Sequence, residues 1–199
     1  MMKKIQNTII LVAICLFAFA NANAQWESEP TEKPLSFGPK IALGGSTAYH
    51  EISQYDWTFT YSVGVFMNYK LSKGVFIHPE LNFQSRGYQT TLLSMVNKYS
   101  ISYIDIPILA RVKFASFHVL AGPYFDYKIS DEFSIDGNNI ADIIIRKHNS
   151  FDIGIAAGAE IALPSNMSAD VRVNFGITEL KENTSLHNIS ATVGLSYHF

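Results

Sequence analysis

The chain has 199 residues, 15 basic and 17 acidic side chains and a formal charge of −2, which suits one domain and offers no basic excess for nucleic acid. Hydrophobic residues make up 48% of it, yet beyond the first 24 positions no run of roughly 18 apolar residues remains, so membrane-spanning helices are excluded. The single cysteine, Cys15, rules out a disulfide framework and a cysteine-ligated metal centre.

Lys3 and Lys4 form a basic n-region, Ile9 to Ala20 an apolar h-region, and Ala22-Asn23-Ala24 a small-x-small cleavage site. Residues 1–24 are therefore expected to be a signal peptide, cut after Ala24. Cys15 follows Ile14 inside the apolar run, which does not suit lipidation. The alternative is a retained anchor. Without the leader, 175 residues remain and the formal charge becomes −4. Residues 25–36 are polar, with Pro30 and Pro34, and read as a periplasmic N-terminal tail.

From Phe37 onward the dominant signal has a period of two, the mark of strands whose successive side chains point to opposite faces. The first strand, near Phe37 to Tyr49, is weak: Phe37, Ile41 and Leu43 against Lys40, Ala42, Gly44 and Ser46. Trp57 to Leu71 alternates clearly, with Phe66 breaking the polar set. Val75 to Gln84, Tyr103 to Phe114, Phe117 to Lys128, Phe151 to Ile161 and Met167 to Ile177 repeat the pattern. The last strand sets Ile189, Ala191, Val193, Leu195, Tyr197 and Phe199 against Ser190, Thr192, Gly194, Ser196 and His198.

The eight strands are joined alternately by tight turns and long connections. The turns are Ser72-Lys73-Gly74, Ala115-Ser116 and Pro164-Ser165-Asn166; the long connections are His50 to Asp56, Gly87 to Lys98, Ile129 to Asn149 and Thr178 to His187. This predicts an eight-stranded antiparallel up-and-down transmembrane β-barrel over residues 37–199, with short periplasmic turns and long extracellular loops.

A soluble lipocalin-like barrel would bury the apolar faces and show the polar ones to water. Three features favour the inverted arrangement. The polar face is small and sparsely charged, carrying Lys40, Glu80, Arg86, Asp105, Arg111, Lys113, Asp126, Asp152, Glu160, Asp170 and Arg172, which suits a narrow lumen paired internally. Trp57, Phe59, Tyr69, Tyr99, Phe114, Phe117, Tyr127, Phe151 and Tyr197 gather near strand ends, as interfacial girdles do. Val193, Leu195, Tyr197 and Phe199 form an alternating terminal strand, expected to be the signal read by the barrel-insertion machinery. Pro79, Pro107 and Pro123 sit within strands without disturbing the alternation. Each is expected to remove one ladder bond and to introduce no bulge.

His78-Pro79-Glu80-Leu81, Tyr103-Ile104-Asp105-Ile106-Pro107-Ile108-Leu109 and Ala121-Gly122-Pro123-Tyr124 follow one another in order. Phe37-Gly38-Pro39-Lys40-Ile41-Ala42-Leu43-Gly44 opens the set and Gly194-Leu195-Ser196-Tyr197-His198-Phe199 closes it. Together they resemble the PorT-like outer-membrane β-barrel family of the Bacteroidetes, over roughly residues 36–199. The resemblance implies an eight-stranded barrel, a lumenal carboxylate at Asp105 and, through the family's namesake, an association with protein secretion across the outer membrane.

Glu80, Asp105, Arg111, Asp152, Glu160, Asp170 and Arg172 are expected to form a lumenal charge network, with Glu80 facing either Arg111 or Arg172. An interior of eight strands is about filled by side chains, which disfavours a pore. No histidine pair has metal-ligand spacing, and no cofactor motif is present. His50, His148 and His187, with Ser46, Ser150 and Ser185 nearby, are the candidates for a lipid-A-modifying enzyme, and no pair is singled out by spacing. The reading is a non-enzymatic outer-membrane barrel. Its expected partners are outer-membrane lipid, the insertion machinery, and a protein or glycan at the extracellular loops. The alternatives are a lipid-A-modifying barrel and an accessory barrel of a secretion system.

Overall fold

A computed structural model describes residues 33–49, 56–92, 95–135, 138–139, 149–179 and 186–199. The expected signal peptide, with Ala22 and Ala24, lies outside the described residues. Eight long strands follow in chain order: β1 (Leu35–Tyr49), β2 (Thr58–Ser72), β3 (Val75–Leu92), β4 (Met95–Phe114), β5 (Phe117–Ile135), β6 (Phe151–Leu163), β7 (Met167–Gly176) and β8 (His187–Tyr197). Every neighbouring pair is antiparallel, and β1 pairs with β8 to close the sheet into a barrel. A two-residue ladder at Asn138–Asn139 folds back on the end of β5.

The registers define the barrel's geometry. From Tyr69 on β2, the cross-strand partners run Ile77, Ala110, Ala121, Ala157, Val173, Ala191 and Gly45, and return to β2 at Phe59, ten residues from the start. A shear of ten on eight strands tilts them by about 40° and leaves an interior that side chains alone fill.

Alternation then assigns every side chain to lipid or lumen. Along β1, Phe37, Ile41 and Leu43 are more than half exposed on the outer face, while Ser36, Lys40 and Ala42 are buried inside. Phe66, which interrupts the polar set of β2, points inward and is buried between His78, stacked at 5.3 Å, and His198, edge-on at 4.7 Å. At the short-turn end Phe37, Phe199 and Tyr197 form one aromatic cluster and Phe114–Phe117 another. At the opposite end Tyr127 packs on Phe151 and Phe59 on Tyr61. These are the two girdles that flank the lipid-facing band of such a barrel.

The structure corrects three boundaries. β1 begins at Leu35, because Leu35 and Ser36 already pair with Tyr69 and Asn68. Gly87 to Lys98 is mostly strand, since β3 and β4 stay paired from Gly87–Ser100 to Leu92–Met95. β5 likewise continues to Ile135. The missing signal has a physical cause. Above the membrane neither face meets lipid, so alternation fades while strand pairing persists.

The in-strand prolines fall on one band of the wall. Pro79 on β3 pairs with Ile108 of β4, Pro107 precedes it, and the β4–β5 register, which runs from Pro107–Tyr124 to Ala110–Ala121, sets Pro123 of β5 at the same level. Pairing lapses around each proline towards the preceding strand: at Met67–Asn68 beside His78–Pro79, at Glu80–Leu81 beside Ile106–Pro107, and at Ile108–Leu109 beside Gly122–Pro123. The register resumes unshifted on the far side of each gap. A proline has no N–H to donate to the ladder, and three of them thin the hydrogen bonding of three consecutive seams at one level.

Candidate functional site

Glu160, Arg111, Glu80, Arg172, Asp170, Asp105 and Asp152 all face the lumen, none more than 7% exposed. They divide into three clusters, set by depth along the strands.

Nearest the short turns, Arg111 donates from Nε and Nη2 to Glu160 Oε1 at 2.9 and 2.7 Å and lies over the Phe76 ring at 5.0 Å. Beside it, His198 bridges the start and end of the barrel, with Ser168 Oγ 2.9 Å from Nε2 and Ser36 Oγ 3.4 Å from Nδ1.

The middle cluster is centred on Glu80. Arg172 reaches it from β7 with two parallel bonds, Nη1 to Oε2 and Nη2 to Oε1, both 2.7 Å. Lys40 donates to Oε1 at 3.1 Å and Asn82 Nδ2 to Oε2 at 3.0 Å, while His78 Nε2 lies 2.7 Å from Oε1. Lys40 also pairs with Asp170 at 2.8 Å. Of the two partners the sequence left open for Glu80, Arg172 is the one in contact. Arg111 sits opposite Phe76, four residues nearer the short turns, and takes Glu160 instead. A fully desolvated carboxylate persists only with such a set of charged donors.

The upper cluster is electrostatically uneven. Asn82, Asp105, Asp126 and Asp152 are directly opposed on β3, β4, β5 and β6, so three aspartates stand in one lateral row. Arg86 pairs with Asp126 and is 3.7 Å from Asp105 and 4.0 Å from Asp152. Its guanidinium lies 4.8 Å from the Tyr124 ring centroid and 5.9 Å from that of Tyr103. Asp152 is further held by Thr178, which donates at 2.6 Å, and by the Tyr124 hydroxyl at 3.4 Å. Lys40, Arg86 and Asp126 belong to these clusters as much as the seven network residues do. Their place on the polar face was legible, but their partners were set by register.

Between the middle and upper clusters lies a cavity of about 10 Å³ bounded by Glu80, Asn82, Asp105, Asp170 and Arg172, room for one water at most. Above it, β3 leaves β2 after Ser85 and leans towards β1. Ser46 Oγ donates to the Gly87 carbonyl at 2.9 Å and accepts from its N–H at 2.8 Å. Ala48, Tyr88 and Leu186 meet there as a buried apolar cluster, with Tyr99 stacked on Tyr88 at 4.9 Å. The lumen is a packed interior.

The residues considered for lipid chemistry do not converge. Ser46 is bound to Gly87, and His187 Nδ1 donates to the Thr178 carbonyl at 3.2 Å. Ser150 is exposed beyond the start of β6, and His50, His148 and Ser185 lie outside the described residues. Among the described residues no group of three or more His, Cys, Asp or Glu is placed to hold a metal ion. Val193, Leu195, Tyr197 and Phe199 all face outward, from 39% to 61% exposed.

Residues 23–182 match the family described as outer membrane protein beta-barrel domain. The chain belongs to that family. This outer membrane beta-barrel protein is an integral, multi-pass resident of the outer membrane. No curated protein matches it by sequence. Among solved structures, it is similar to Neisserial surface protein A (NspA), with 12% identity, a TM-score of 0.50, and 84% of this chain and 98% of that one covered. It is also similar to Ail, the attachment invasion locus protein of Yersinia pestis, with 12% identity, a TM-score of 0.48, and 84% and 100% covered. The outer membrane enzyme PagL aligns at 10% identity and a TM-score of 0.43, over 79% and 98%. At these identities the likeness to NspA speaks to the fold alone.

Proposed function

We propose that this outer-membrane barrel is a non-enzymatic surface protein that contacts a protein or glycan outside the cell through the raised wall formed by β3, β4 and β5 and the loops around it. The carrying observation is the asymmetry of the wall. β3, β4 and β5 have 18, 20 and 19 residues, against 13, 10 and 11 in β6, β7 and β8. About ten residues cross an outer membrane, so the three long strands carry a paired sheet well beyond it. A packed lumen supports the same reading, since it serves as an internal strut for that wall. The test replaces residues 87–98 with a short turn. The shortened barrel should still insert and fold, and cells carrying it should lose binding on a glycan array or to the partner crosslinked at Gln89 in the wild type. Undiminished binding would refute the proposal.

Within its family we place the chain in the PorT-like branch, on the order of its proline-containing motifs. That placement supports a second reading, an accessory role in secretion across the outer membrane. A deletion strain with an unchanged set of secreted proteins would exclude it.

A further inference from the structure

On the lipid-facing side, where β7, β8 and β1 meet the extracellular girdle, an open groove of about 350 Å³ is lined by Tyr49, Phe175, Gly176, His187 and Ile189. Its chemistry is graded along the barrel axis. The lower wall is the directly opposed pair Phe175 and Ile189. The upper wall is the opposed pair Tyr49 and His187, two residues further towards the outside. β7 ends at Gly176, whose backbone forms the floor between the two pairs. Its Cβ position turns inward, 3.1 to 3.2 Å from Asn188 backbone atoms and Asp152, so no side chain from this residue enters the groove.

We propose that this groove holds one anionic lipid of the outer leaflet, with an acyl chain against Phe175 and Ile189 and a headgroup phosphate at His187 and Tyr49. The groove is continuous with the apolar surface that already faces lipid, where Phe175, Ile177 and Tyr49 are 49%, 60% and 56% exposed. Its level selects the leaflet: the polar-tipped pair stands at the girdle on the long-loop side, where headgroups lie. Apolar walls with a few polar groups at one end are how sites of this volume fix a ligand's orientation. The Thr178 carbonyl can only accept, so His187 Nδ1–H donates to it, and Nε2 is the ring atom left for a headgroup, donating to phosphate in the imidazolium form beside the Tyr49 hydroxyl. The arrangement binds a lipid rather than cleaving one, because no serine, threonine or cysteine lines the groove among the described residues.

Native mass spectrometry of the folded barrel in zwitterionic micelles, titrated with phosphorylated lipid A, tests the site. The wild type should retain one lipid at collision energies that strip the micelle. Ile189→Trp, which fills the groove, should lower the retained fraction at least tenfold. Val63→Trp, on the lipid-facing surface of β2, should leave it unchanged. The double variant Tyr49→Phe with His187→Ala keeps the apolar walls and should lose about tenfold in retention, so the test survives if Ile189→Trp does not fold. The proposal is overturned if the wild type retains no lipid, if neither groove variant reduces retention, or if Val63→Trp reduces it equally.

Discussion

Glu80 on β3 and Arg172 on β7 meet across the lumen in a two-bond clamp, with both nitrogen–oxygen distances 2.7 Å. The two residues lie 92 positions apart in sequence, and their strands are not neighbours in the sheet. They tie opposite walls of the barrel together at mid-height.

Cutting that tie from one side should be expensive. Glu80→Leu leaves Arg172 and Lys40 desolvated without their shared carboxylate, and the barrel should lose about 3–5 kcal/mol. Glu80→Leu combined with Arg172→Met should lose clearly less than the two single losses summed, because the guanidinium is then gone with its carboxylate and Lys40 keeps Asp170 at 2.8 Å. Urea titrations of barrels folded in lipid vesicles measure both. Additive losses would show that the two side chains do not act as a pair.

The aspartate row predicts the opposite sign. Asp105 and Asp152 each stand directly across from Asp126, and Arg86 is the guanidinium set among them. Carboxylates in directly opposed positions repel, so removing one of them should stabilise the barrel. Asp105→Asn keeps an acceptor for Asn82 and removes one charge. It should gain about 1 kcal/mol, read by urea titration of barrels folded in lipid vesicles. A loss of stability in the variant would contradict this account.

The proline band should be the softest part of the wall at mid-height. Amide exchange at Leu81 and Leu109, beside the pairing gaps, should outpace exchange at Val112 and Val119, which lie in continuous ladder. Pro123→Val restores a donor facing β4 and should slow exchange at Leu109, with a gain of up to about 1 kcal/mol. Unaltered exchange would mean the gap has another origin.

Closure itself has a simple signature. Unboiled protein should run ahead of its boiled form in SDS gels, and the Glu80→Leu variant should convert at a lower temperature than the wild type. Identical conversion temperatures would argue that the lumenal clamp does not limit unfolding.

Much of the fold is written in alternation. Ile189 to Phe199 states its two faces outright, as does Met167 to Ile177, because lipid on one side and a narrow lumen on the other impose opposite demands on successive residues. Where those demands stop, legibility stops. Gly87 to Leu92, Met95 to Lys98 and Ile129 to Ile135 are strands that resemble loops, since neither face meets lipid there. The groove at Tyr49, Phe175, Gly176, His187 and Ile189 carried no signal of its own. Its members come from three strands, and each fits its local pattern as an ordinary strand residue.

By itself, the sequence determined the strand count, the closed class of barrel, which residues face lipid and which line the lumen. These are local consequences of a period of two. Only the tertiary structure decided that Glu80 takes Arg172, that Arg111 takes Glu160, that three aspartates share one row and that three prolines share one band. Those facts depend on register and shear, which fix the height at which one strand meets the next, and height is a property of the closed barrel that no single strand encodes.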